Sequence, residues 1–438
     1  MNKFKYLLLY ILIIVLYIVF LTLSSCIPND IIKKNMIESS KELIAKNEKT
    51  GIQFLGKEVI LFNFTDALML NTIYSVDNEK PLETALLARR NYIKDSKKKI
   101  YEDTTPPGEN NGESAEYEND SFQTKELWET VNGRDTYNCI EYARYWHGYM
   151  IILKPLLIVF KYSQIQNLSM ITWGILSIVF LYLIAKKIGI KEAIAFLLAF
   201  VITDLYICSA SLNAMIPFYI AIIAGTIILL KEDKIKSYNF IFLVVGSVTA
   251  FFDLLTTPIV TLGIPLIVKV LVDYKKRNNC NICEILKDCL YWVIGYSTTM
   301  ILKWIITDVF LGRNVLNTSI KQLLYRIGDK SEDINYTVKL SLLTNICFLN
   351  KYIIICILLI FLCAIIYKVI KNKYNCIDIP VLMISGLPVF WIMILKNHST
   401  IHRFFTYRNL VITLICILII IFESVNVRKD KTKNERNQ

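Results

Sequence analysis

The chain has 438 residues, of which 54% are hydrophobic, 12% aromatic and only 20% charged. A single soluble domain of this size does not carry so much apolar side chain, and the balance is that of a membrane protein. The formal net charge of +12 would suggest nucleic acid in a soluble chain. Here most Lys and Arg fall into short loops assignable to one side of a bilayer, so no nucleic-acid partner is expected and membrane lipids are.

A spanning helix needs roughly 20 mostly apolar residues. The first such run is 5–24, preceded by Lys3 and Lys5. It is long for a signal-peptide core, and it ends Leu23-Ser24-Ser25-Cys26, a superficial match to a lipoprotein cleavage site. The run reads as an uncleaved first helix. Nine more runs follow, at 168–187, 192–209, 212–230, 239–254, 257–273, 289–310, 351–370, 378–395 and 408–425. A shorter run, 149–160, is interrupted by Lys154-Pro155 and is too short to span upright.

Charge decides the status of that run. If it spanned, Lys186, Lys187 and Lys191 would lie outside, with Lys231, Lys234 and Lys236. If it lies flat as an amphipathic juxtamembrane helix, both clusters become cytoplasmic. Lys275, Lys276, Arg277, Lys371, Lys373 and the basic tail then join them, as the positive-inside rule requires.

The expected fold class is therefore an all-α polytopic membrane protein of about ten transmembrane helices, with both termini cytoplasmic. Residues 1–24 form the first helix. An extracytoplasmic loop, mainly helical, occupies 25–167, and its Pro/Gly/Glu/Asn-rich stretch at about 103–121 reads as a disordered tip. Helices two to seven fall in 168–310, a second outer loop in 311–350, the last three helices in 351–425 and a basic cytoplasmic tail in 426–438. No internal repeat of the transporter kind is visible. Cys280 and Cys283 form a lone C-x-x-C, and a metal site would want a second pair.

On this topology all three histidines, His147, His398 and His402, map to the outer face. His147 follows Glu141-Tyr142-Ala143-Arg144-Tyr145-Trp146, and the other two lie in a segment that also holds Arg403 and Arg408. The plain alternative for both segments is an aromatic belt with anchoring cations. Asp66, between Phe64-Thr65 and Ala67-Leu68-Met69-Leu70, is a single carboxylate in apolar company. Desolvation there would raise its pKa into the range of a general base; the alternative is a helix cap. Lys303 sits inside an apolar run, so it should face a partner or a polar cavity unless it snorkels. Glu141 and Asp253 are additional candidate acids, although Asp253 also suits a cap before Thr256-Thr257-Pro258. A base beside a cationic cluster at the lipid boundary suits a substrate with an anionic head and an apolar tail, and no phosphate-cradling glycine loop is present.

The layout resembles the GT-C superfamily of membrane glycosyltransferases, which use polyprenyl-phosphate sugars. One helix is followed by a large outer loop bearing an acid, here Asp66. That loop ends in a segment of the aromatic/His-x-x-Pro-Leu kind, here Trp146-His147-Gly148-Tyr149-Met150-Ile151-Ile152-Leu153-Lys154-Pro155-Leu156-Leu157. Tyr162-Ser163-Gln164-Ile165-Gln166-Asn167-Leu168 then leads into the second span, and a second long outer loop, 311–350, follows the seventh. The chain departs from the family in having Gln166 for an Arg, Ser211-Leu212-Asn213 where a second Asp is usual, and Pro155 for a double proline.

The resemblance implies an inverting transfer from a lipid-linked sugar donor, with Asp66 as general base. Arg144, His147, Lys303, Arg403, Arg408, His398 and His402 become candidate phosphate or substrate ligands. It implies no certain cofactor and leaves a divalent metal open. Asp66, His147, Lys303 and Arg403 should then converge on one outward cavity, with 315–327 as an amphipathic, surface-lying lid. A lipid-linked glycan transporter or flippase, or a non-catalytic assembly subunit, are the competing readings.

Overall fold

The computed structural model describes residues 3–46, 49–54, 57–93, 122–133, 137–234, 237–278, 280–328 and 335–425. The 103–121 stretch and the 426–438 tail lie outside them. About 78% of the structure is helical. Five helices among the described residues are long and apolar enough to cross a membrane: Tyr6–Ser25, Tyr162–Lys187, Ile282–Leu311, Lys351–Ile370 and Arg403–Ser424. Shorter apolar helices cover Met150–Val159, Ile216–Lys231, Asn239–Phe252 and Asp378–Ile394. These are the helices of a membrane protein.

Each of the ten apolar runs is helical, but two are broken. The 192–209 run divides into Ile190–Ile202 and Leu205–Cys208 at Asp204, whose φ of 61° is left-handed. The 378–395 run divides into Asp378–Ser385 and Leu387–Ile394 at Gly386. Pro388 falls in the first turn of the second piece, where the missing prolyl N–H costs no helix hydrogen bond.

Side-chain burial divides the helices by role. Lys351–Ile370 buries only Ala364 and Lys368 and leaves a row of Ile and Leu bare, a surface that water would not tolerate. The last helix, Val411–Val425, is the opposite: apolar on all sides and wrapped on all sides, with Val411, Ile412, Ile415, Cys416 and Ile419 buried. Helices Asn239–Phe252 and Ile282–Leu311 cross most closely. A Cβ on Gly295 would stand 2.0 Å from the Leu243 carbonyl oxygen, and one on Gly246 would stand 2.2 Å from that of Trp292. Only glycine permits that approach, and it brings the hydroxyls of Ser247 and Thr299 to 2.9 Å.

The first polar segment was expected to be mainly helical. It carries helices Asn29–Ala45, Asn63–Tyr74, Pro81–Leu87 and Phe122–Val131, and adds two antiparallel strand pairs. Lys49–Phe54 pairs with Lys57–Phe62, and Arg90–Ile93 with Tyr137–Ile140. The second strand, Lys57-Glu58-Val59-Ile60-Leu61-Phe62, is too rich in β-formers for a helix start, and it delivers the chain directly into the Asn63–Tyr74 helix. Helix Met150–Val159 buries Met150, Leu153 and Leu157 against the first helix and Asn29–Ala45. Ser24 donates to the Met150 carbonyl at 2.8 Å, and Asn35 closes the other end on the carbonyls of Leu157 and Ile158 at 2.9 and 3.1 Å.

Candidate active site

Asp66 stands in the first turn of Asn63–Tyr74, placed by the strand before it. Its carboxylate is buried. Oδ2 accepts from the Tyr162 hydroxyl at 2.9 Å and the Leu212 N–H at 3.1 Å; Oδ1 accepts from the Asn213 N–H at 3.1 Å and, more weakly, the Ser211 hydroxyl at 3.4 Å. Burial pushes the carboxyl up to about 6, against the downward pull of those four donors. The turn that supplies the two N–H groups is Ser211-Leu212-Asn213, just before helix Ile216–Lys231. Tyr162 in turn receives Gln166 Nε2 at 2.8 Å, and Gln166 Oε1 receives Lys46 Nζ at 2.9 Å. A relay of side chains thus runs from Lys46 to Asp66.

The same turn walls a cavity of about 20 Å3, room for about one water molecule. Its lining includes Leu61, Thr65, Cys208, Ser211, Asn213, Phe404, Phe405 and Arg408. Two buried polar atoms on these walls have no protein partner, Arg408 Nε and Asn213 Oδ1. Arg408 is fixed by one N–H to the Phe404 carbonyl at 3.1 Å, and its guanidinium lies 4.7 Å from the Tyr407 ring centre. The Tyr407 hydroxyl donates to Asp204 at 2.7 Å, which brings that carboxylate beside the guanidinium. The site thus offers a buried base, a buried cation with a spare donor, and an apolar Phe404–Phe405 wall.

The other sequence candidates do not meet there. Lys303 is buried, donates to the Leu86 carbonyl and sits 5.6 Å from the Trp146 ring centre. It caps the end of Pro81–Leu87, where a cation is favourable against the helix dipole. His147 spends both ring nitrogens inside the fold, Nε2 on the Tyr142 carbonyl and Nδ1 on the Tyr149 hydroxyl, each at 2.9 Å. Arg144 packs over the rings of Tyr142 and Tyr145. Glu141 pairs with Arg313 at 3.1 Å and Arg89 at 3.4 Å. Asp253 accepts from the Thr256 N–H and hydroxyl, a turn cap. Arg403 is exposed and bonds only weakly to the Thr400 carbonyl at 3.4 Å.

His398 and His402 form a third group. His398 Nε2 lies 2.9 Å from the Leu255 carbonyl, and its Nδ1 lies 2.6 Å from an Arg326 nitrogen. A carbonyl can only accept and a guanidinium can only donate, so the ring is neutral with its proton on Nε2. Burial and the Arg326 charge push His398 well below the usual imidazole range. His402, pushed down to about 3 by burial and then by Arg326, stacks on Phe405 with centroids 5.2 Å apart. Neither is a cation available to a phosphate. The expected convergence of Asp66, His147, Lys303 and Arg403 is therefore corrected: of the named cations only Arg408 lines the cavity walled by the turn that binds Asp66, and the others already hold carbonyls, rings or the surface.

Sequence reasoning passed over Tyr162, Lys46 and Asp204 as site residues. Tyr162 stood in the segment that the resemblance marks ahead of the second span, but with no role of its own. Lys154 was also missed. It is buried, with no hydrogen-bond partner on Nζ, and burial pulls its ammonium down to about 8. It lies between Ile151 and Pro155, which line a cleft of about 330 Å3 with Phe20, Leu23, Ser24 and Ile27. No three His, Cys, Asp or Glu side chains are grouped as a metal site among the described residues. Comparison with protein-family models, curated proteins and solved structures finds no match.

Proposed function

We propose that this chain is a membrane glycosyltransferase of GT-C layout, moving a sugar from a polyprenyl-phosphate carrier to an acceptor on the extracytoplasmic side. The observation that carries the reading is one buried acid, Asp66, bound to the Ser211–Asn213 turn, whose residues Ser211 and Asn213 line a cavity together with a buried, incompletely bonded guanidinium, Arg408. Asp66 takes the proton of an acceptor hydroxyl, whose oxygen attacks the anomeric carbon as the bond to the carrier phosphate breaks. The phosphate leaves with the electron pair, and Arg408 holds its charge. The carbon inverts. A phosphate leaves readily enough that a strong general acid is unnecessary.

A ten-span topology with both termini cytoplasmic accompanies this reading. Its support is that the basic loops gather at one end of the bundle. Glu232 takes both Lys187, at 3.1 Å, and Lys276, at 3.0 Å. Tyr162 and Lys187 stand at opposite ends of one helix of 26 residues, about 37 Å apart. Asp66 is therefore a membrane's width from the basic loops.

The test is donor consumption by purified protein given polyprenyl-phosphate sugars. Consumption by the native chain should vanish in Asp66→Asn and Arg408→Gln, with both variants still folded. A native chain that consumes no such donor sinks the proposal. A non-catalytic assembly subunit is the second reading. It gains from one observation, that all four contacts of Asp66 are already filled and the cavity holds about one water. On that reading Asp66→Asn changes stability and nothing else.

A further inference from the structure

Helix Val315–Ile327 begins on a carboxylate, with Asp308 accepting from the N–H groups of Val315 at 2.6 Å and Leu316 at 3.0 Å. Successive residues turn by about 100°, so the helix surface can be divided by direction. Val315, Ser319 and Arg326 share the side pressed on the protein. Leu316, Ile320, Leu323, Leu324 and Ile327 share a second side about a third of a turn away, and Ile320, Leu323 and Leu324 are exposed there. Asn317 and Lys321, both exposed, mark a third side another third of a turn on. One face for protein, one apolar and bare, one polar and bare is the pattern of a helix at the edge of a protein where lipid meets water. The apolar face continues the bare apolar surface of the preceding helix, which ends at Val309 and Phe310, 75% and 66% exposed.

The protein-facing side leads to the candidate site. Arg326 meets His398 at 2.6 Å, the His398 and His402 rings stand 4.6 Å apart, and His402 stacks on Phe405. Phe404 and Phe405 wall the cavity lined by Ser211, Asn213 and Arg408, which in this arrangement is too small for a sugar. We propose that the Val315–Ile327 helix docks its apolar face on the bilayer interface, and that this contact, passed through Arg326 and His398, keeps the Phe404–Phe405 wall closed over the cavity. The partner is a lipid surface. Lifting the helix out of the interface opens the cavity toward the membrane, where a lipid-borne substrate would enter. The functional sense rests on the glycosyltransferase reading, whereas the docking and the coupling do not.

The test uses the full chain in lipid nanodiscs and reads no sugar transfer, so it succeeds or fails separately from that reading. A fluorescent amino acid at position 323 should be quenched by a spin-labelled phospholipid and spared by aqueous iodide, with the reverse at position 321, which points nearly the opposite way. Cys208, buried on the cavity wall, reports opening by its alkylation with N-ethylmaleimide, located by peptide mass spectrometry. Arg326→Gln should speed Cys208 alkylation about tenfold or more, as expected for loss of a charge-assisted hydrogen bond, and Arg326→Lys should speed it less. Ile320→Asp combined with Leu324→Asp changes only exposed positions, so it should fold normally and also speed Cys208. Iodide quenching at 323, cross-links between two copies through that face, or a Cys208 rate unmoved by both variants would each overturn the proposal.

Discussion

Replacing Asp66 by Asn separates a strained base from a structural carboxylate through the pH dependence of stability. The carboxyl lies at about 6 in the folded chain against an ordinary 3.8, a gap that corresponds to about 3 kcal/mol. Its sign follows from proton binding. Between pH 4 and 6 the folded chain holds a proton at Asp66 that the unfolded chain has released, so the favourable contribution is complete below about pH 4. It is lost as pH rises through about 6. The Asn variant has no such proton. It carries its own cost, because its amide nitrogen must face the N–H of Leu212 or Asn213, a donor against a donor worth roughly 1–3 kcal/mol. That cost does not vary with pH. Native stability minus variant stability should therefore fall by about 3 kcal/mol between pH 4 and 7 and then level off. Thermal unfolding of both proteins in one detergent, followed by tryptophan fluorescence at several pH values, measures the difference. A difference that is flat, or that grows with pH, refutes the argument.

Other substitutions probe the remaining links. Gly295→Leu should prevent folding or lower the unfolding temperature sharply, because no rotamer relieves a Cβ 2.0 Å from the Leu243 carbonyl; unfolding in detergent reads this out. Lys269 and Asp288, buried and 2.5 Å apart, should lose about 3–5 kcal/mol when Lys269→Met is made alone. The double variant with Asp288→Leu should regain most of that loss, and the same unfolding assay compares them. Tyr162→Phe removes one donor from Asp66 and should raise the pH at which the acidic limb of the transfer rate is half-complete, with the fold intact. Lys303→Met should destabilise by leaving the Leu86 carbonyl unbonded, yet spare donor consumption, since Lys303 stands away from the cavity.

Apolar run length read directly as helices, because a segment that must satisfy its own backbone in lipid has few other choices. The two breaks were less visible: nothing in Thr203-Asp204-Leu205 announces a left-handed residue. The Lys49–Phe62 hairpin carried a legible signal in Val59-Ile60-Leu61-Phe62 that was passed over, whereas Arg90–Ile93 is short and its partner, Tyr137–Ile140, is distant in sequence and fixed by tertiary packing. Asp66 could be found because an acid amid apolar residues has few bland explanations. Cations were harder to place. A buried Lys or Arg needs an acceptor, and a backbone carbonyl such as that of Leu86, or an aromatic ring such as Tyr142 or Trp146, serves as well as a phosphate while leaving no mark in the sequence.

The two ends of the bundle differ in how their buried polar groups are matched, and on the proposed function this bears on where the chemistry would lie. At the end of the basic loops, Lys269 meets Asp288 and Lys368 meets Asp378, each at 2.5 Å, and Glu232 holds two lysines. At the other end stand Lys154 Nζ, Asn213 Oδ1, Ser319 Oγ, Asn397 Nδ2, His402 Nδ1 and Arg408 Nε, all buried and all without a protein partner. A fold selected for stability alone would not concentrate such atoms, because each costs roughly 1–3 kcal/mol. Asn213 and Arg408 line the cavity behind the Phe404–Phe405 wall, Ser319 lies under Val315–Ile327, and Lys154 lies by the separate cleft of Phe20, Leu23 and Pro155; on the proposed function the first two are the groups a polar ligand would meet. The well-paired opposite end has the economy of a scaffold. Substituting Asn213→Leu or Ser319→Ala should therefore leave stability unchanged or improved, measured by thermal unfolding. A loss of more than about 1 kcal/mol at both positions would place these groups in the scaffold instead.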